Sequence, residues 1–73
     1  MDEKALKELL LGENAAFREL HNEHQGCEKR LEELRSKSFL TEEERLEERE
    51  LKKRKLALKD RMYRMMADFR KAR

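Results

Sequence analysis

The chain has no proline and only two glycines, so the residues that punctuate turns and break helices are nearly missing. Combined with a surplus of Glu, Lys, Arg and Leu, that scarcity excludes a sheet and leaves long, solvent-exposed helices. There is one cysteine, Cys27, so an internal disulfide is impossible; this agrees with a reducing compartment. No apolar run approaches the length of a membrane span, and the acids within MDEKALKELLLG do not suit a secretory signal. A cytoplasmic protein is expected. Missing too are a Ser, Asp and His arrangement, a Gly-rich phosphate loop and a CxxC pair, so neither nucleophilic catalysis nor nucleotide binding has a foothold. The expectation is no enzyme, no cofactor and no small-molecule substrate.

What is present is charge in a helical rhythm. Charged residues make up 49% of the 73 positions and apolar ones 37%, yet the net charge is only +2; the apolar residues are periodic, which argues for folding rather than disorder. A chain of this length holds one domain, residues 1–73, with a thin core. Its organising stretch is LKKRKLALKDRMYRMMADF, Leu51 to Phe69. At helical spacing Leu51, Leu58, Met62, Met65 and Phe69 fall within about 40° of one another, with Lys55 the only polar residue in the file.

Toward the N-terminus, residues 2–11 read as a short amphipathic helix, with acids in the first turn and Leu6, Leu9 and Leu10 on one side. Gly12 is expected to interrupt it. Asn14 is a good N-cap, so either a second helix opens there or one kinked helix continues through both residues. Phe17, Leu20, His24, Cys27, Leu31 and Leu34 then alternate three and four apart, the seam of a coiled coil, over a helix spanning 14–36. Gly26 inside it costs about 1 kcal/mol relative to Ala. Ser36, Lys37 and Ser38 supply a polar break, Phe39 and Leu40 are expected to fold back over the helix ends, and Thr41 with Glu44 spells the capping box of a third helix over 41–70.

So short a connection forces the two long helices to run antiparallel. The fold class is therefore all-α: an antiparallel, coiled-coil-like helical hairpin with a short N-terminal helix or kinked extension. Counting outward from the turn pairs Leu34 with the region of Leu46, Cys27 with Leu51, Leu20 with Leu58, Phe17 with Met62, and Leu10 with Phe69.

Phe17, Leu20, Glu23 and His24, a polar turn, and then LKKRKLALKDRMYRMM resemble the small bacterial YdcH-like proteins of unknown function. Leu51, Lys52, Lys53, Leu56, Leu58, Lys59 and Asp60 carry the most specific part of the match, which covers about Asn14 to Met66. The resemblance implies a short helical hairpin in a bacterial cytosol, and it implies no activity, since it brings no established catalytic residues to carry over.

Candidate binding chemistry is sparse. His21, His24 and Cys27, with Glu28 near, are metal-ligand types, but side chains spread over nearly two turns cannot converge on one ion. A metal site through His24 and Cys27 is the remote reading; His24 as a seam residue and Cys27 as a small hydrophobe are the ordinary ones. Charge is polarised along the chain: residues 49–73 hold eleven bases and three acids, residues 1–48 eight bases and fourteen acids. A basic helix suits nucleic acid phosphates, with Lys52, Lys53, Arg54 and Lys59 as candidate contacts. Against this, Lys52, Lys53 and Arg54 point in three directions and only Tyr63 could stack on a base. Leu56, Tyr63 and Met66 lie some 60 to 140° off the main stripe. They form the candidate interaction face, to be covered by the N-terminal segment, a second copy or another protein. The preferred reading is a protein-interaction module that self-associates; a nucleic-acid binder is the alternative.

Overall fold

The computed structural model describes residues 2–72, and three helices account for nearly all of them: α1 (Glu3–Glu13), α2 (Ala15–Arg35) and α3 (Glu42–Lys71). No strand occurs among the described residues. The molecule measures 48 × 20 × 16 Å. Its long axis is set by α3, whose 30 residues at 1.5 Å each span about 45 Å.

Each helix starts at a side-chain cap that satisfies an otherwise unpaired backbone N–H. Asp2 Oδ1 accepts from the Ala5 amide at 2.7 Å and Asn14 Oδ1 from the Phe17 amide at 3.0 Å. Thr41 and Glu44 exchange both bonds of the capping box, Glu44 N–H to Thr41 Oγ1 at 3.1 Å and Thr41 N–H to Glu44 Oε1 at 3.0 Å. Three acids, Glu42, Glu43 and Glu44, sit in the first turn of α3, and Arg70 and Lys71 in its last, both placements favoured by the helix dipole.

Gly12 does not interrupt α1. The helix runs through it to Glu13, because a glycine lowers helix stability without breaking hydrogen-bonded geometry. The break falls at Asn14, whose extended backbone (φ −120°, ψ 109°) ends α1 while its side chain opens α2. Arg18 locks this corner: its Nε donates to the Leu11 carbonyl at 2.9 Å, filling one acceptor that the end of α1 leaves unpaired. The structure thus has a separate N-terminal helix, not a kinked extension.

α2 and α3 form an antiparallel hairpin, as the ion pairs show: Arg30 reaches Glu47, and Glu23, further from the turn on α2, reaches Arg54, further along α3. The turn between them is pinned by Ser36 Oγ donating to the Glu33 carbonyl at 2.7 Å. Phe39 departs from expectation. It does not fold back but stands 88% exposed, since the short turn leaves no third surface at that end for its ring to reach.

Leu6, Leu10, Phe17, Met62 and Met66 make one buried cluster, with Leu11, Leu20, Met65 and Phe69 packed against it. Phe17 and Met62 therefore meet as the spacing predicts, and Leu10 and Phe69 share the same end. Leu58, Cys27, Leu31 and Leu34 are also buried. Leu46, expected opposite Leu34, is 56% exposed: it lies on the side of α3 away from the stripe, and half-buried Glu44, Glu47 and Leu51 occupy the inward positions of this region instead.

Candidate functional site

Three of the residues singled out on α3 have different fates. Leu56 is 70% exposed and Tyr63 46% exposed, whereas Met66 is 4% exposed. Met66 is therefore not part of an open face. α1 lays Leu6 and Leu10 over it and makes it core, so the N-terminal segment takes up part of the apolar surface that a bare hairpin would leave. Leu56 and Tyr63, seven residues or about two turns apart, remain on one side of the helix. Lys59 lies between them with its ammonium 5.9 Å from the centre of the Tyr63 ring, a cation–π geometry.

The four basic candidates do not converge. Arg54 Nη2 sits 3.4 Å from Glu23 on α2, and Lys52 Nζ 3.9 Å from Glu48 one turn back. Lys53 and Lys59 form no ion pair with described residues. Neighbouring Lys55 contacts Glu28 at 2.7 Å, and its ammonium, by hydrogen bonding, holds the Glu28 carboxyl below the usual carboxylate range. Arg54 and Lys55 of α3 are thus partnered across the hairpin by acids of α2. Lys52, Lys55, Leu56 and Lys59, with Arg35 from the end of α2, line a shallow groove.

His24 is half-buried in the seam, and its Nε2 is buried with no hydrogen-bond partner; His21 Nδ1 is in the same state. Burial pushes the His24 imidazole below its ordinary pKa of 6.5, opposed by Glu28 and aided by Lys55, Lys7 and Lys59. Cys27 is a buried free thiol. No group of three or more His, Cys, Asp or Glu able to hold a metal occurs among the described residues, and His24 and Cys27 both serve the α2 seam.

Sequence reasoning did not foresee the second feature of this region. His24, Lys59, Met62, Tyr63 and Met66 line a cleft together with Glu3 and Lys7 of α1. Nothing in the spacing of α2 and α3 could reveal it, because it exists only where α1 docks. The Leu6 and Leu10 repeat was the available signal: burying those leucines swings Glu3 and Lys7, on the neighbouring flank of α1, to the edge of the hairpin.

An all-α hairpin with a docked N-terminal helix and a highly charged sequence defines a class of small helical proteins. Within that class, the chain belongs to the family described as a protein of unknown function, DUF465, which matches residues 17–66. The YdcH-like resemblance agrees with this membership. No curated protein and no solved structure matches the chain. No described helix is long and apolar enough to cross a membrane.

Proposed function

We propose that the protein is an interaction module that pairs with a second copy of itself through the side of α3 carrying Leu56 and Tyr63. The observation that carries this reading is the exposure of those two large apolar side chains, 70% and 46%, two turns apart on one side of α3. A small domain gains stability by sharing such surface. A second copy fits because charge is complementary along the helix: Glu42, Glu43 and Glu44 open α3, and Arg70 and Lys71 close it. Two α3 helices laid antiparallel about a two-fold axis bring each acidic start beside the partner's basic end.

Sedimentation equilibrium at micromolar concentration tests the reading. A dimer at low salt that weakens as salt is added, and that Tyr63→Glu converts to monomer with helicity retained, supports it. A parent that stays monomeric at low salt removes it. The second reading, a nucleic-acid interface, rests on the excess of eleven bases over three acids in residues 49–73. It requires an affinity that falls steeply with salt and is lost when Lys53 and Lys59 are both changed to Gln.

A further inference from the structure

Lys7 of α1, His24 of α2 and Lys59 of α3 border a cleft of about 70 Å³ whose other walls include Met62, Met66 and Tyr63. Neither lysine has an ion-pair partner among the described residues. Lys55, the third lysine near His24, is occupied by Glu28. Lys59 is held over the Tyr63 ring, which keeps its ammonium beside the cleft. His24 Nε2 is buried and unpaired, a state that a hydrogen-bonding ligand would relieve. Two ammonium groups against the single carboxylate of Glu3, with an unsatisfied imidazole, leave the cleft net positive and define a place for negative charge. By contrast, the larger groove beside Leu20 sets Glu19 and Glu23 against Arg61 and Arg64 and balances itself.

We propose that this three-helix junction binds a phosphate group, with Lys7, Lys59 and His24 as its donors. A tetrahedral oxyanion suits donors supplied by three helices, and a charge between −1.5 and −2, roughly that of a phosphate monoester at neutral pH, is drawn to two ammonium groups that outweigh the one carboxylate of Glu3. The shared chemistry covers free inorganic phosphate and a small phosphate ester. Glu3 is the internal competitor. It borders the same cleft, and it stands four residues before Lys7, at the spacing of a helical ion pair, without forming one.

The test is a titration of the full chain with inorganic phosphate at constant ionic strength, following the imidazole resonances of both histidines by NMR, with glycerol phosphate titrated in parallel. His24 signals should move and saturate while those of His21 stay in place. Lys7→Gln and Lys59→Gln should each weaken binding about tenfold or more, the loss of one charge-assisted contact. Both positions are exposed, so the fold is kept, as circular dichroism will verify. Glu3→Gln should tighten binding. Saturation by both ligands assigns an ester site, and saturation by inorganic phosphate alone assigns the free ion. Shifts that grow linearly without saturating, that are equal for His21 and His24, or that survive both lysine variants overturn the proposal. Lys59 and Tyr63 border both the cleft and the proposed dimer face, so the titration is run at a protein concentration where sedimentation shows monomer, which keeps failure of the phosphate site distinguishable from failure of the dimer.

Discussion

At the open end of the hairpin, five buried side chains from three helices close a continuous apolar cluster; at the turn end, α2 and α3 meet alone. The difference is plainest on α3, whose buried residues are Leu58, Met62 and Met66, all in its second half. Opposite them in sequence, α2 buries Leu31 and Leu34 near the turn. On α3 the half-buried residues of this region include Glu47, Leu51 and Lys55; a long charged side chain such as Glu47 or Lys55 can lay its aliphatic stem along the seam and keep its charged head in water. The heads then pair across the groove: Arg30 grips Glu47 with two bonds at 2.8 and 3.0 Å, and Lys55 meets Glu28. One end is closed by a third apolar layer, the other by a fence of ion pairs. The comparison teaches that the third layer adds apolar burial that ion pairs at the turn end do not replace, since exposed ion pairs contribute little and are screened by salt.

The sharpest way to break the comparison is Phe17→Ala. Phe17 is fully buried among side chains from the other two helices, so its loss should cost about 3–5 kcal/mol, much of the total for a domain of this size. Chemical denaturation will measure it. Leu10→Ala and Leu58→Ala come next, each about 2–5 kcal/mol. Leu10→Ala should also expose Met66 and admit a hydrophobic dye, which Leu58→Ala should not. A Leu58→Ala loss below about half a kcal/mol would contradict the packing described. Asn14→Ala, which removes the cap joining α1 to α2, should cost about 1 kcal/mol. Gly26→Ala works in the opposite direction. Nothing lies within 4 Å of the added Cβ, so it should stabilise α2 by about 0.5–1 kcal/mol.

At the turn end the expected effect is smallest and depends on pH. Glu44 hydrogen bonds to Lys37 and to the Thr41 amide, which hold its carboxyl down from 4.5 to about 2. The folded state thus binds the proton more weakly than the unfolded chain does. The contribution of Glu44 is complete above pH 4.5 and is lost as the pH falls toward 2. Glu44→Gln should flatten the melting temperature across that window while keeping a side-chain acceptor for the capping box. An unchanged acid profile in the variant would place the acid sensitivity elsewhere.

The hairpin was legible in the sequence because its signals are local: the three-and-four spacing from Phe17 to Leu34, and the Thr41 and Glu44 box. Pairing Phe17 with Met62 needed only the length of the turn. For Met66 the spacing left three covers open, the N-terminal segment, a second copy or another protein, and that Leu6 and Leu10 supply it is a tertiary fact. Gly12 was read as a stop because its permissive backbone is an averaged tendency, while the cap at Asn14 is a specific hydrogen bond. Phe39 was expected to find a surface and has none. Lys7 escaped notice because its role begins only when α1 reaches the other two helices. The family match spans 17–66, so it includes most of the hairpin and leaves α1 outside.

The Asn14 corner also sets an order in time. The six residues 36–41 between α2 and α3 close on a scale of about 10–100 ns, and pairing then zips away from the turn through contacts of steadily growing sequence separation. The cluster around Phe17 lies at the far end of that zipper and is completed only when α1 swings about Asn14 onto Met62 and Met66. The same hinge carries an expected outcome for the native protein: if α1 opens as a unit about Asn14 while the hairpin stays shut, its amide protons exchange with solvent through a smaller opening than those of Leu31 and Leu58, which hydrogen exchange measures.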